Sequence, residues 1–189
     1  MAVTKILLGI TGATGMLYVS SLLKQLGALD VEVHGIISDA GLQVLKFELQ
    51  IAPDQLSGVT QWYSADDFSA APASGSARFD AMVILPCTVG SLAAIASGYT
   101  ANLIHRAADV TLKERRPLIL AVRETPLNRT HLKNMLTVHD AGALICPPLP
   151  AFYSRPTSFE EMADNYTGRL CELLGLHAPK YNRWPGGTA

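Results

Sequence analysis

Short apolar runs alternate with stretches of helical periodicity along most of this 189-residue chain. The runs are too short for helices, and their apolar residues are consecutive, which is typical of strands buried on both faces of a parallel sheet. Strands are predicted at residues 5–10, 31–37, 81–86, 118–122 and 143–146, with a candidate short strand at 60–64. The chain is therefore expected to be built around a sheet.

Helical patterns separate the predicted strands. They cover residues 16–27, 42–47, 92–97, 106–113, 127–138 and 158–173. This alternation indicates a three-layer α/β/α fold of the Rossmann-like (flavodoxin-like) type, with a mostly parallel sheet. Residues 49–79 are the least regular part, rich in Pro, Ser, Ala and Gly, and are expected to carry edge structure or a lid.

The composition favours a globular protein whose partners are small molecules or other subunits. Apolar residues make up 49% of the chain, charged residues 16%, and the net charge is −1, so a nucleic-acid-binding or disordered chain is not indicated. Its three cysteines lack CxxC or Cys/His spacing, which argues against a disulfide scaffold or structural zinc. No run resembles a membrane helix or a signal segment. We expect a cytoplasmic protein without a membrane partner, with one domain at residues 1–175 and a tail at 176–189.

Two turns of small and hydroxyl residues follow predicted strands. The first strand leads into Gly9-x-x-Gly12-x-x-Gly15 and a helix, an arrangement in which backbone N–H groups reach an anion at the helix N-terminus. The strand at 81–86 leads into a second such turn at 87–91, and Ser38 follows the strand at 31–37. Because parallel strands end at one edge of a sheet, these turns predict a site for a nucleotide phosphate.

The glycine spacing of the first turn also occurs in some NAD(P)-dependent reductases, and Asp39 could hold a ribose. Such reductases usually use a Tyr-x-x-x-Lys pair for proton transfer. None of the six tyrosines has Lys four residues later. A dehydrogenase is therefore the less favoured alternative.

The strand at 118–122 ends in Arg123-Glu124, at the edge where a parallel sheet binds its ligands. Thr125 and Pro126 are typical of an N-cap and a first helical residue, which would place free N–H groups beside Arg123. A guanidinium and a helix N-terminus both attract an anion. An anion site is predicted here.

The helical stretch before this strand carries Arg106, Asp109 and Lys113 at spacings of three and four, on one face. Two interpretations remain open. The cations belong to the same anion site, or Asp109 and Lys113 form a surface pair beside a solvated Arg106.

The last third of the chain begins with prolines that force residues 147–150 into an extended segment leading to Tyr153. A capping box of Ser158 and Glu161 opens the final helix. That helix is predicted to bury Phe159, Ala163, Tyr166, Leu170 and Leu173. Arg169 lies at the edge of this stripe, as a site residue or an ordinary boundary arginine. Trp184 in the tail is expected to pack on its own or a neighbouring subunit.

Taken in order, several segments resemble the UbiX family of flavin prenyltransferases. The matching motifs are ITGATG at 10–15, the Ser38 turn, Pro86-Cys87 with its hydroxyl loop, NLIHRAAD at 102–109, LKERRP at 112–117, RETP at 123–126 and PLPAFY at 148–153. The resemblance implies FMN in a Rossmann-like fold and transfer of a dimethylallyl group from dimethylallyl phosphate to reduced FMN. Bonds to the central-ring nitrogen and an adjacent carbon would close a fourth ring, and the product would serve a UbiD-type decarboxylase.

The resemblance also implies roles for single residues. Glu124 would exchange protons near the phosphate oxygen, Glu48 would be a further acid near the reaction, and Lys113 would act in catalysis and in phosphate binding. The substrate would be held by Lys113, Arg123, Tyr153 and Arg169, with Arg106 in support and Trp184 nearby. FMN would be bound by Gly12, Ala13, Thr14, Ser38, Thr88, Val89, Gly90 and Ser91, with Arg123 shared. No metal is implied, and the expected assembly is a homo-oligomer, a dodecamer.

The chain departs from the family pattern at two positions. Family members often carry Lys where this chain has Gly90, so a charged contact to the flavin is expected to be missing. Thr14 replaces the frequent Ser and keeps the hydroxyl. The related Cys-decarboxylase flavoproteins usually carry a His in the early helix and Asn-rich turns, which are not evident here. The histidines are expected to be structural or solvated, and they are His34, His105, His131, His139 and His177.

Two other functions remain as alternatives to prenyl transfer. One is an FMN-dependent decarboxylase or its flavin-carrier subunit, and the other is a plain FMN-binding structural component. Neither calls for a second anion site. The residues that separate the first function from the others are Lys113, Arg123, Glu124, Tyr153 and Arg169.

Overall fold

The computed structural model describes residues 4–178 and 181–184, and a six-stranded sheet forms its centre. The strands are β1 (Lys5–Ile10), β2 (Glu32–Ile37), β3 (Gln61–Ser64), β4 (Ala81–Cys87), β5 (Leu118–Val122) and β6 (Leu144–Ile145). Their order is β3-β2-β1-β4-β5-β6, and each neighbouring pair is parallel. β4 and β5 are buried along their whole length, which confirms the interpretation of the unbroken apolar runs.

Helices cover both faces of the sheet. In the described residues they are α1 (Met16–Gly27), α2 (Asp39–Leu49), α3 (Val89–Ala96), α4 (Leu103–Lys113), α5 (Arg129–Asp140) and α6 (Phe159–Leu173). One apolar cluster joins α1 and α6 to the sheet, and a second joins α3 and α4 to its other face. The predicted three-layer fold is therefore confirmed. None of the helices in the described part of the chain is long and apolar enough to cross a membrane.

The strand order reverses between β1 and β4. β2 and β3 extend the sheet on one side of this point, and β5 and β6 extend it on the other. The loops that follow β1 and β4 therefore diverge at the carboxyl edge, and in sheets of this kind the crevice between such loops binds the ligand.

The course of α2 differs from that of an ordinary crossover helix. It begins at Asp39, and its N-cap is Ser38, directly after β2. Its last turn lies against the start of α1, because the Glu48 carboxylate accepts hydrogen bonds from the backbone N–H groups of Gly15 and Met16. Residues 50–60 then lead back along α1 to the amino end of β3. A side chain near the end of α2 is thus brought to the carboxyl edge of the sheet.

The prediction that Thr125 caps a helix whose first residue is Pro126 is wrong. The N-cap of α5 is Asn128, whose side-chain oxygen accepts a hydrogen bond from the His131 N–H at 2.9 Å. The His131 ring accepts in return from the Asn128 N–H at 3.3 Å, so this pair satisfies two N–H groups at the helix start. The Thr125 N–H donates to the Glu124 carboxylate instead. The expected helix N-terminus does not lie directly after β5.

The first turn of α6 also differs from the prediction. Phe159 is 76% exposed rather than buried, because the face of α6 that packs on the sheet side begins one turn later, at Ala163. Ser158 caps the helix by accepting from the Glu161 N–H. The Glu161 carboxylate, however, accepts from the N–H and hydroxyl of Thr157. Only the first half of the predicted capping box is therefore formed, because the Glu161 side chain bonds Thr157 and not the N–H of the N-cap Ser158.

Candidate functional site

Thr11 joins the two loops at the reversal of strand order. Its hydroxyl donates to the Pro86 carbonyl at 2.7 Å and accepts from the Thr88 N–H at 2.9 Å. Thr11 is 2% exposed, so water does not compete for these bonds. The loops after β1 and β4 are thereby held in a fixed relation, and they form the floor of the crevice.

Gly12 allows α2 to approach the first loop closely. A Cβ at Gly12 would lie 2.4 Å from the Cβ of Ala40, so any side chain would push the start of α2 away. Ser38 lies beside the end of β1, since its N–H donates to the Ile10 carbonyl at 3.0 Å. The predicted flavin residues of β1 and β2 therefore share one edge, and they are Gly12, Ala13, Thr14 and Ser38.

The N-terminus of α1, predicted to attract the anion of a ligand, receives a carboxylate of the protein itself. Glu48 accepts from the Met16 N–H at 2.8 Å and from the Gly15 N–H at 3.0 Å. The negative charge is favourable there because the helix dipole is positive at this end. A ligand phosphate must therefore be held by other groups of the edge.

The turn after β4 supplies a second helix N-terminus. α3 begins at Val89, three residues earlier than predicted, because Thr88 caps it: the Thr88 hydroxyl accepts from the Ser91 N–H at 3.1 Å. The first N–H groups of α3 lie at the crevice, a position that favours an anion. Gly90 is exposed, and a Cβ there would meet Thr88 Oγ1 at an ordinary 3.8 Å. A larger side chain at Gly90 would find room.

Arg123 and Glu124 end β5 on the same edge. The Arg123 N–H donates to the Cys87 carbonyl at 3.0 Å, which fixes the start of this loop beside the end of β4. Both side chains are exposed. The Glu124 carboxylate accepts from the Thr125 N–H at 2.9 Å, so it is turned back over its own loop. A guanidinium and a carboxylate thus stand together where a ligand can reach both.

A cavity of about 220 Å³ lies beyond β6, next along this edge. Tyr153 and Arg169 line it together with Cys146 and Tyr181. Burial raises the pKa of the Cys146 thiol, although the positive charge of Arg169 acts in the opposite direction, so the thiol is neutral at pH 7. The cavity combines a guanidinium and a phenol with uncharged walls, which suits a small ligand with an anionic head and an apolar body.

The described tail residues 181–184 pack beside this cavity, which Tyr181 lines. The Asn182 N–H donates to the Asn165 side chain at 3.2 Å, and its carbonyl accepts from the Tyr153 hydroxyl at 3.1 Å. The rings of Trp184 and Tyr153 meet edge to face, with centroids 5.2 Å apart. Trp184 therefore packs on its own chain, one of the two expected arrangements.

The cations of α4 have partners of their own. Arg106 donates to the Ala73 carbonyl at 3.1 Å and to the Asp109 carboxylate at 2.8 Å. The alternative pairing of Asp109 with Lys113 is not formed, because Lys113 is bonded to the carboxylate of Glu114.

Lys113 ends α4 on the amino side of the sheet, and Arg123 follows β5 on its carboxyl side. α4 starts at the carboxyl edge, where the Leu103 N–H donates to the carbonyl of Ala65 just after β3, and it ends near Pro117, which leads into β5. β5 has five residues, and at about 3.3 Å per residue its ends are about 13 Å apart. Within one copy of the chain, these two cations do not face the same ligand.

Two side chains near the site were not predicted to contribute. Tyr181 lines the cavity beside Arg169, and its position in a tail without periodicity gave no signal. His105 is 8% exposed, and its Nε2 lies 3.2 Å from the Ser91 hydroxyl. Burial lowers the pKa of the His105 imidazole, so the ring is neutral at pH 7. The sequence feature that could have indicated His105 is its position on the apolar face of α4.

Comparison with known proteins shows which family has this architecture. The chain matches the Flavoprotein family over residues 1–168. It is 44% identical over 182 residues to the flavin prenyltransferase UbiX of Methanothermobacter thermautotrophicus, covering 96% of this chain and 95% of that protein.

Two solved structures agree with the sequence match. AnUbiX (PadA1), in complex with FMN and dimethylallyl pyrophosphate, has a TM-score of 0.95 and 41% identity, covering 97% of this chain and 98% of that chain. A dodecameric FMN-dependent UbiX-like decarboxylase from Escherichia coli O157:H7 has a TM-score of 0.93 and 36% identity, covering 97% of this chain and 100% of that chain. Each of these three matches covers 96% or more of this chain. The chain therefore belongs to the UbiX family of flavin prenyltransferases, within the flavoproteins.

Proposed function

We propose that this protein transfers a dimethylallyl group from a dimethylallyl phosphate to reduced FMN. The observation that carries the proposal is a second ligand region beside the flavin crevice. Tyr153 and Arg169 line a cavity after β6, and the neighbouring strand β5 ends in Arg123 and Glu124. A protein that only held a flavin would not require this second anion site.

The crevice at the reversal of strand order fits the phosphate and ribityl chain of FMN. It offers several hydroxyls, the N-terminus of α3 and a floor fixed by Thr11. Bound and reduced, FMN supplies the electron-rich ring that accepts the dimethylallyl group. The residues that we assign to it are Gly12, Ala13, Thr14, Ser38, Thr88, Val89, Gly90 and Ser91, with Arg123 shared with the substrate.

Arg123, Tyr153 and Arg169 would hold the phosphate of the donor. Cleavage of the bond between allyl carbon and phosphate oxygen moves negative charge onto the phosphate, and guanidinium groups already in place stabilise that charge. Tyr153 is held ready by its bond to Asn182 and by the Trp184 ring. The two aromatic rings would also face the allyl cation and exclude water from it.

Two carboxylates are available for proton transfer. Glu124 adjoins Arg123 and would exchange a proton with the departing phosphate oxygen. Glu48 stands at the start of α1, held by the N–H groups of Gly15 and Met16, and would serve the flavin side of the site. The hydrogen bonds to the backbone fix its carboxylate in place.

We further propose that copies of the chain assemble so that Lys113, supported by Arg106, completes the site of a neighbour. Lys113 ends α4 on the amino side of β5, and Arg123 follows β5 on its carboxyl side, with a strand about 13 Å long between the two sides, so a shared role with Arg123 requires a second copy. Exposed apolar side chains on α5 support assembly, since Leu132 and Leu136, one turn apart, are 54% and 60% exposed. The dodecameric relative is a precedent, and we propose the same number here.

The product would be a flavin with an additional ring, and we propose that a UbiD-type decarboxylase receives it as a cofactor. This partner follows from membership of the UbiX family. Addition of the reaction mixture to an apo decarboxylase of that type, followed by measurement of carbon dioxide release, tests the transfer.

The proposed reaction is tested by anaerobic incubation of the protein with reduced FMN and dimethylallyl phosphate, and by mass spectrometry of the released flavin. The wild-type protein is expected to add one five-carbon unit, and Glu124→Gln to slow the addition by about a hundredfold or more. Tightly bound but unmodified FMN, with both the monophosphate and the diphosphate donor, would favour an FMN-dependent decarboxylase or flavin carrier instead. This alternative has a counterpart in the FMN-dependent UbiX-like decarboxylase from Escherichia coli O157:H7, which is 36% identical.

A further inference from the structure

His105 is a buried polar residue packed behind the proposed flavin loop. It is 8% exposed and lies between apolar residues of α4 that are buried almost completely, Ile104 and Ala108 among them. Its Nε2 is 3.2 Å from the Ser91 hydroxyl oxygen. Its Nδ1 is buried and has no hydrogen-bond partner among the described residues. Burying an imidazole with one partner is unfavourable for folding. The bond to Ser91 is therefore the contact through which His105 can serve a function.

Ser91 connects His105 to the cap of α3. The Ser91 N–H donates to Thr88 Oγ1, and the Thr88 hydroxyl donates to Ser91 Oγ, both at 3.1 Å. The Thr88 N–H in turn donates to the hydroxyl of Thr11, at the floor of the crevice. A continuous set of hydrogen bonds therefore runs from the interior of α4 to the loops at the reversal of strand order.

The protonation state of His105 determines which groups donate and which accept in these hydrogen bonds. The imidazole is neutral, because burial lowers its pKa, so one ring nitrogen carries a proton and the other a lone pair. A buried N–H without a partner is rarer than a buried acceptor without one, and Nδ1 is the unpartnered atom. The proton therefore belongs on Nε2, which donates it to Ser91. Ser91 Oγ then accepts from both His105 and Thr88, and its own proton remains free to be donated.

We propose that His105 is a positioning residue for the flavin: its Nε2–H donates to Ser91 Oγ and directs the serine proton toward an oxygen of the FMN phosphate or ribityl chain. The inference rests on the proposed function, in which the 88–91 loop contacts FMN. It adds a residue that does not touch the cofactor and acts through Ser91.

The tautomer can be measured without flavin. Nitrogen NMR of histidine-labelled protein reports which ring nitrogen carries the proton, and the His105 signals are those missing from the spectrum of His105→Gln. A neutral ring protonated on Nε2 supports the inference. A ring protonated on Nδ1, or a charged ring at pH 7, overturns it.

Flavin affinity provides the second readout, with two neutral amides as matched variants. The side-chain amide of Gln reaches the position of Nε2 and that of Asn reaches the position of Nδ1, so only His105→Gln restores the donor. His105→Asn is expected to weaken FMN binding about tenfold, a loss comparable with one hydrogen bond to a charged group. His105→Gln is expected to bind within about threefold of wild type. Urea unfolding of the apo proteins shows whether each variant is folded.

A double variant separates positioning through Ser91 from a general loss of packing. His105→Asn in a Ser91→Ala background should cost no further affinity, because the hydroxyl that His105 directs is already absent. Additive losses, or equal affinities of the folded Gln and Asn variants, overturn the inference. FMN binding that is strong in wild type and unchanged by Ser91→Ala also overturns it, while leaving the flavin function intact. Absence of FMN binding in the wild-type protein would instead remove the proposed function, and the inference with it.

Discussion

The Glu48 carboxylate accepts a hydrogen bond of 2.8 Å from the backbone N–H of Met16, so the last turn of α2 caps the first turn of α1. A helix end that would otherwise attract a ligand phosphate is thereby filled by a fixed negative charge. In the proposed site the cofactor phosphate is left to Ser38 and to the N-terminus of α3, while the Glu48 carboxylate is held at the start of α1.

Glu48→Ala is expected to lower the free energy of unfolding by about 1 kcal/mol, because two N–H groups at the start of α1 lose their partner. Glu48→Gln, which keeps a side-chain acceptor, should cost less. Urea unfolding of the apo proteins measures both changes. An alanine variant as stable as wild type would show that the capping bond does not form in solution.

Gly168→Ala is expected to release the tail from α6. A Cβ at Gly168 would lie 2.7 Å from the Cβ of Tyr181, so the tail would move and Trp184 would leave Tyr153. In a Trp62→Phe background Trp184 is the single tryptophan, and its fluorescence anisotropy should fall because the ring is no longer packed on Tyr153. Limited proteolysis should also cut the tail faster.

Gly27→Ala is the matched control for this change, because a Cβ at Gly27 meets nothing within 4 Å. It should leave the Trp184 fluorescence and the cleavage rate unaltered. A tail equally protected in Gly168→Ala and wild type would contradict the described packing.

Gly90→Lys tests where the flavin phosphate lies. Gly90 is exposed and has room for a side chain, and a cation at the start of α3 should attract a phosphate bound in the crevice. We expect Gly90→Lys to bind FMN about threefold more tightly than Gly90→Gln does at low salt. The difference in affinity should be lost at high salt. Equal affinities of the Lys and Gln variants at low salt would place the phosphate elsewhere.

His105 makes the stability of the apo protein depend on pH. Burial lowers its pKa in the folded state, so the unfolded chain binds the proton first as the pH falls below about 6.5. Stability is therefore lost from about pH 6.5 downward, until the lower pKa of the folded state is passed. His105→Gln should show a smaller decrease of the urea midpoint between about pH 7.5 and pH 5.5. Identical decreases would mean that His105 does not titrate differently on folding.

The sequence predicted the central strands well, because β4 and β5 are buried on both faces and leave an unbroken apolar run. β5 was predicted with the bounds Leu118–Val122 that the structure shows. β6 was predicted at 143–146 but spans two residues, Leu144–Ile145, since it is an edge strand that pairs with β5 alone. Local pattern thus located strands, and tertiary pairing set their ends.

The site could be predicted where it depends on strand ends and not where it depends on the course of helices. Arg123 and Ser38 follow strands, and parallel strands end at one edge. Glu48 reaches that edge because the last turn of α2 lies against the start of α1, which no local pattern encodes. Lys113 lies at the end of α4, away from the carboxyl edge. Thr125 is not the N-cap of α5, because Asn128 takes that position and exchanges two hydrogen bonds with His131.

Prenyl transfer at a site shared between copies is tested most directly by combining two inactive variants. Arg123→Met and Lys113→Met chains with different tags are co-expressed, and mixed oligomers are isolated through both tags. After anaerobic reaction with reduced FMN and dimethylallyl phosphate, the mass of the released flavin is measured by mass spectrometry. Each variant alone is expected to release unmodified FMN. The mixed oligomers should release flavin heavier by one five-carbon unit from about a quarter of their sites, where intact Arg123 meets intact Lys113. Mixed oligomers that bind FMN but are as inactive as the single variants would contradict the shared site.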